Sequence, residues 1–461
     1  MFKNFSKILI FLLFFVFLTV STVSAEDNVT LDIGLNEENS NYLEIQDIDN
    51  GVLGNFESNN TLKASSSNSF KDLQNIINNA HVGDTITLNK DYTYTTGDSP
   101  IFIGKSITID GKNHIIDGKL ATRILKIDGK HVTIKNIKFI NAKNTDTDWG
   151  SAIDWYGDYA NLQYCSFNNN QGTKLGGVVY LHGTNGKISH CSFNNNKANN
   201  FISSGGAVYW NGTNGELKNC SFNNNTAQKD GGAVHWHGAN GVLSGCSFNN
   251  NTALFGGVVY WNGTNGKLNG CSFNNNTAWN GGAVSWYGHD GFLSGCSFNN
   301  NTAQEDGGAV SWYGDNGGLK DCSFNNNTAQ EDGGAVRWWG NDGFLSGCSF
   351  NNNTALFGGV VYWYGGDGFL SGCSFVIFRS KNTSFLNIPN LIYYNGKDYD
   401  VDYYNNGVNI NSGKLNKAVS FSGLNNNKYN ITMKYTADNG MMTNYLIITT
   451  QIGRASCRER V

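Results

Sequence analysis

The chain has 461 residues, of which only 15% are charged, and a formal net charge of -4. No basic field is present to attract nucleic acid or an anionic membrane surface. The length exceeds that of one ordinary domain, a limit that a solenoid, growing in one dimension, escapes.

At the N-terminus Lys3 and Lys7 precede the apolar run "ILIFLLFFVFLTV", with "VSA" just before Glu26. That order reads as a secretory signal over residues 1–25, cleaved after Ala25. An uncleaved membrane anchor is the alternative, for which the run is short. Residues 26–67, rich in Asn, Ser, Asp and Glu, read as a low-complexity linker. In residues 68–145, Phe70, Leu73, Ile76 and Ile77 stand at helical spacing. A short amphipathic helix is expected there, capping the first coils of a repetitive stack.

From 146 to 375 the sequence repeats. Cys165, Cys191, Cys220, Cys246, Cys271, Cys296, Cys322, Cys348 and Cys373 lie 25 or 26 residues apart, with a single interval of 29. Within a unit, apolar and polar residues alternate with period two. In "GLKDCSFNN" Leu319, Cys322 and Phe324 point inward, and in "GGAVSWYG" Val310 and Trp312 do. Turn-rich runs of Asn and Gly join these strands. Such a unit cannot bury its apolar face alone, but it can by stacking on copies of itself. The fold expected is all-β, a right-handed parallel β-helix of about 25-residue coils. A propeller needs about forty residues per blade, more than the repeat supplies.

Each ladder of equivalent residues has a physical role. Phe167 through Phe375 form one stacked column of the core, and Trp210 through Trp363, begun by Leu181, form a second. Asn169, Asn195, Asn224, Asn250, Asn275, Asn300, Asn326 and Asn352, four residues past each cysteine, are expected to stack inward as an amide ladder. The cysteines read as small buried hydrophobes, because stacked side chains about 4.8 Å apart are badly placed for disulfides.

"FNNN" alternating with "GGAV" or "GGVV" resembles the repeats of chlamydial polymorphic outer-membrane proteins. The whole layout is similar to the adhesin-like surface proteins of methanogenic archaea. The segments "KSITIDGKNHIIDG" and "HVTIKNIKFINA" resemble the first coils of pectin-lyase-like β-helices. The resemblance implies a right-handed β-helix displayed outside the cell and supplies no catalytic residues. After Phe375 the motif breaks, and residues 376–451 alternate like strands of a partial β-sandwich-like module. Residues 452–461, "IGRASCRERV", read as a translated sequencing-adapter artefact, so the true C-terminus, including any membrane or wall anchor, is expected to be missing.

Catalysis requires unlike groups to converge, whereas an ideal repeat presents the same group everywhere. The departures from the repeat therefore carry the information. On outward strand positions they are Asp154, His182, His235, His237 and Arg337; in the loops they are Lys229, Asp230, Glu305, Asp306, Glu331 and Asp332. The three histidines could approach a zinc set and the four later carboxylates a calcium set, but the spacing favours plain surface residues in both cases. No metal and no cofactor is assigned, and no catalytic residue. Arg337, the only arginine between 146 and 375, stands near Asp332 and supports a lyase or hydrolase alternative. The broader signal is a paving of rings, with Tyr156, His182, Tyr287, Tyr313, Trp339 and Tyr364 as the binding face. Asn-x-Ser/Thr sequons recur at the Cys+4 asparagines, in conflict with an inward ladder there, and also at Asn211 and Asn262.

Together these features point to an exported, cell-surface, adhesin-like protein that is not an enzyme. It binds a glycan or protein of another cell or of the envelope through one repetitive face, without nucleic acid. The alternatives are a polysaccharide lyase or glycoside hydrolase of the same fold, and a structural envelope spacer.

Overall fold

The structure, a computed structural model, describes residues 68–144, 149–172, 176–379, 386–388, 391–394, 397–422, 428–438 and 440–450. The expected signal, linker and adapter-like segments lie outside these residues. Helix α1 (Phe70–Asn79) opens the described chain with a capping box between Ser69 and Asp72. Its apolar stripe, Phe70, Leu73, Ile76 and Ile77, is buried. Gln74 exchanges two hydrogen bonds with the backbone of Phe102 on the first Trp-side strand. Lys105 donates to the helix-end carbonyls of Asn78 and Ala80. The helix thus occupies an edge that a strand would otherwise pair with.

Each coil then contributes a short strand to three sheets in turn. The Leu sheet has 12 strands, from Thr85–Thr87 to Phe369–Ser371, and the Trp sheet has 12, from Ile101–Ile103 to Ile392–Tyr394. The Phe sheet begins at Tyr92–Thr93 and reaches Ser374–Arg379. All pairing within the coils is parallel and in register, like upon like: Leu293 on Leu319, Phe298 on Phe324, Trp286 on Trp312. The product is a right-handed parallel β-solenoid of about 11 turns with coils of about 26 residues.

The corners arise from residues that tolerate the left-handed backbone region. The Cys+4 asparagines, Asn169 to Asn352, have φ between 52° and 57°. Asn316, Asp342 and their equivalents do the same before each Leu strand, and Gly307, Gly333 and theirs before each Trp strand. One glycine position admits nothing larger. A Cβ on Gly314 would lie 1.9 Å from the carbonyl oxygen of Gly288 one coil below.

The interior consists of columns. Phe298 and Phe324 stack with ring centres 4.8 Å apart, and Trp286 and Trp312 at the same 4.8 Å. Trp286, Trp312 and Trp338 each donate their indole N–H to a glycine carbonyl two residues on, so these rings are buried without an unpaired donor. The nine cysteines of the repeat are buried and unpaired.

The asparagine ladder exists, but one residue later than its expected position. The Cys+4 asparagines are exposed corner residues, whereas Asn170, Asn196, Asn225, Asn251, Asn276, Asn301, Asn327 and Asn353 are buried. Asn301 is typical. Its Nδ2 donates to Phe273 O at 3.0 Å and to Asn327 Oδ1 at 2.9 Å, while its own Oδ1 accepts from the backbone N–H and the side chain of Asn276. A second, half-buried amide ladder runs outside it, as between Asn299 and Asn325 at 2.9 Å. The left-handed residue at Cys+4 inverts the alternation, which turns the following side chain inward.

The segment after the coils continues the Phe sheet. Strand Ser374–Arg379 pairs in parallel with Gly440–Thr450, bringing Phe375 beside Leu446. The sheet then passes antiparallel through Lys428–Ala437 to Asp400–Asn405 and Val408–Lys414, for 16 strands in all. Buried Asn444 accepts from the N–H of Cys373 and donates to Leu370 O, joining the last coil to this extension.

Candidate functional site

The departures from the repeat collect on the outer side of the Trp sheet. Strand alternation puts Val310 and Trp312 inward and leaves two outward positions per coil, here Ser311 and Tyr313. The first outward position is buried in five coils and half-buried at Tyr209, Tyr260, Arg337 and Tyr362. The turns before the Trp strands lie against it, so Asp154, Tyr180, His235, Ser285 and Ser311 are all buried. Ser285 Oγ donates to Asn280 O in such a turn at 2.9 Å.

Ring size at the two outward positions is complementary in four of the middle coils, the coil with His235 and His237 having a ring at both. Tyr209 is followed by Asn211 and Tyr260 by Asn262, while Ser285 is followed by Tyr287 and Ser311 by Tyr313. The rings consequently form one continuous column that changes track. Tyr180 stacks on Tyr209 at 4.7 Å, Tyr209 on His235 at 4.3 Å and His235 on Tyr260 at 5.0 Å. The column then steps across to Tyr287 at 4.9 Å and continues through Tyr313, Trp339 and Tyr364. Ring faces between Tyr180 and Tyr313 are therefore covered by neighbouring rings, whereas Tyr313 and Trp339 stand 6.5 Å apart and the Trp339 ring carries Arg337 over it. Of the six rings expected on the face, Tyr156 is 42% exposed and Tyr364 45%, while His182, Tyr287, Tyr313 and Trp339 are half-buried. Burial pushes the Tyr260 and Tyr287 hydroxyl pKa values upward. These groups therefore stay protonated and able to donate.

The histidines do not assemble. His235 is enclosed between two tyrosine rings, and burial lowers its pKa to about 3, which keeps it neutral. His237, one residue past that strand, is exposed, and His182 is engaged by Asp154 at 3.1 Å. Among the described residues no group of three or more His, Cys, Asp or Glu is placed to hold a metal ion.

Unlike groups do converge at two places. At the early end, buried Asp154 lies between His182 and Arg123, whose guanidinium stands 3.5 Å away and is held by the carbonyls of Trp149 and Gly150. Tyr156 stacks on His182 at 3.9 Å, and the Lys126 ammonium lies 5.7 Å above that tyrosine. Sequence reasoning named Asp154 and His182 but not Arg123, which belongs to a coil that precedes the cysteine repeat. The register carries the missing signal, since Lys126 pairs with Asp154.

At the later end, the Arg337 guanidinium is 3.1 Å from Asp306 and 3.8 Å from Asp332. It also lies over the Trp339 ring at 4.3 Å and within 3.4 Å of the Tyr313 hydroxyl. Burial raises the Asp306 pKa to about 7 and outweighs the attraction of Arg337, with Asp332, Glu305 and Glu331 adding repulsion. Glu305 accepts from the Trp279 indole at 2.7 Å. The arrangement holds a nearly buried guanidinium against two carboxylates, of which burial makes Asp306 the more readily protonated.

Three stretches match the Chlamydia polymorphic membrane protein repeat: residues 219–235, 295–311 and 321–337. Each repeat of that kind covers the Phe strand, the asparagine corner and the start of the Trp strand, leaving out the Leu strand. No curated protein matches the chain. Among solved structures, a PL6 alginate lyase complexed with a trisaccharide aligns at TM-score 0.44 and 13% identity, over 78% of this chain and 90% of that one. The catalytic domain of a GH87 alpha-1,3-glucanase complexed with nigerose aligns at 0.39 and 13%, over 70% of each chain. The tailspike protein of E. coli bacteriophage HK620 complexed with a pentasaccharide aligns at 0.38 and 12%, over 84% of this chain and 88% of that one.

Proposed function

We propose that the chain is an exported, adhesin-like surface protein that binds a glycan or protein partner along the outer side of its Trp sheet. The observation that carries this reading is the ring column, which runs along one side of a rod and meets a cluster of unlike charged groups near each end. Protonated tyrosine hydroxyls, amides and half-exposed rings suit hydroxyl-rich or peptide ligands. Among the described residues no helix is long and apolar enough to cross a membrane. The test is retention of the full chain on a panel of acidic and neutral polysaccharides. Tyr156→Ala, Trp339→Ala and Tyr364→Ala should each weaken retention several-fold; unchanged retention in all three would refute this face.

One observation favours a second reading, cleavage of an acidic polysaccharide. Asp306 beside Arg337 is a carboxyl able to take up or release a proton near pH 7 next to a fixed cation. New reducing or unsaturated chain ends, lost in Arg337→Ala, would replace the adhesin reading with this one. Neither retention nor cleavage would leave a protein ligand or a spacer role in the envelope.

A further inference from the structure

We propose that the stacked corners at Asn224, Asn250, Asn275, Asn300, Asn326 and Asn352 are acceptors for N-linked glycans, forming a sugar-bearing ridge along the rod. The proposal rests on the export reading above. Each corner reads Asn-Asn-Thr, the pattern that N-glycosylation requires.

The structure separates the three residues into three roles. The first asparagine sits at the outside of the turn, exposed, with φ between 52° and 56°. The second is the buried ladder residue that fixes the turn from within. The threonine begins a two-residue strand, as in Thr302–Ala303, whose alanine is buried, so the hydroxyl side faces out. The acceptor nitrogen and the hydroxyl that a transferase must read therefore lie on the same outer edge. Among the described residues no charged or aromatic side chain is hydrogen-bonded to these six asparagines; the interaction seen among them is Asn352 Nδ2 donating to Asn326.

The fold does not itself demand the threonine. Asn169 and Asn195 make the same left-handed corner, and Asn170 and Asn196 the same ladder bonds, with Gln171 and Lys197 in the threonine position. Two coils thus supply the geometry without the sequon, and six supply both. In the transfer, Asn Nδ2 attacks the anomeric carbon of a sugar carried on a lipid diphosphate. The C–N bond forms, the bond from carbon to phosphate oxygen breaks, the diphosphate leaves with the electron pair, and Nδ2 loses a proton. No redox change is involved. Neighbouring acceptors are one coil apart, about 4.8 Å, which is less than the width of a branched glycan. Occupancy should therefore be incomplete in any one molecule and shared among the six positions.

The test is peptide mass spectrometry on the full chain recovered from the cells that make it, with the N-terminus of the recovered chain read in parallel. Expected are glycan masses on the six corner asparagines, none on Asn169 or Asn195, and loss of a corner's glycan in its Thr→Val variant while circular dichroism stays that of the parent. A chain processed at its N-terminus yet bare at all six corners would overturn this inference alone. Sugar confined to Asn211 and Asn262 would do the same. A chain retained inside the cell with its first 25 residues intact would overturn the export reading together with it.

Discussion

The register of the buried asparagine ladder makes a quantitative prediction. Asn301→Ala removes an amide that donates to Phe273 O and Asn327 Oδ1 and accepts from the N–H and side chain of Asn276. The Asn276 N–H and the side-chain bond to the Phe273 carbonyl are then lost in a site shut off from water. At roughly 1–3 kcal/mol for each buried group left unmatched, the change costs about 4 kcal/mol. Asn300→Ala, next door, removes an exposed side chain and obliges alanine to hold a left-handed turn, about 1 kcal/mol. A solenoid need not unfold in one step, so the readout is native-state hydrogen exchange resolved by coil rather than a single melting curve. Amides of the Cys296 and Cys322 coils should exchange about a thousandfold faster in Asn301→Ala and less than about tenfold faster in Asn300→Ala. The reverse order would show that the ladder lies at the corner position and that the described register is wrong.

Gly314→Ala would place a Cβ 1.9 Å from Gly288 O and 2.6 Å from its carbonyl carbon. The obstacle is backbone with no freedom to yield, so the variant should lose the protease-resistant core, and a melting temperature equal to the parent's would contradict this. Asp306 holds its proton more tightly in the folded chain, with a pKa of about 7 against 3.8. The folded state therefore binds more protons across that window, and stability should fall as pH rises from about 4 to 7. Asp306→Asn should flatten the fall in thermal midpoint measured against pH. The nine ladder cysteines are buried, so a maleimide should leave them unmodified in the native protein and label them in denaturant; labelling of Cys296 before unfolding would refute their burial.

The period, the parallel stacking and the Phe and Trp columns were legible because they rest on recurrence and strict alternation, both local properties. The asparagine ladder was misplaced by one residue for a definite reason. In "NNN" composition cannot say which amide turns inward, and the left-handed residue at Cys+4 breaks the period of two on which the assignment relied. The outer side of the Trp sheet was read correctly in direction but not in exposure. Alternation sends Ser311 and His235 outward, yet the turn covering them belongs to a different part of the coil. The track change of the ring column was written in the pairs Tyr260/Asn262 and Ser285/Tyr287. Recognising it requires knowing that adjacent coils share one layer of space. Arg123 went unnoticed because its coil lacks the cysteine that marks the others.

The in-register stacking of like on like has a consequence for how such a chain can vary. A coil meets only the coils above and below it, and from the Trp210 coil to the Trp363 coil it does so through recurring leucine, phenylalanine, tryptophan and asparagine contacts. Gain or loss of one whole unit therefore leaves each remaining contact of the same kind, while the helix at one end and the strand extension at the other keep their own docking surfaces. The reach of the rod can change in increments of one rung, about 4.8 Å, by duplication or deletion of a single 25- or 26-residue unit. An insertion of another length has to be taken up in a turn to keep the register, as in the single 29-residue interval across which Phe193 still stacks on Phe222. For a lineage under pressure to reach farther or stand closer, length is a counting variable, separable from the choice of side chains displayed at each rung.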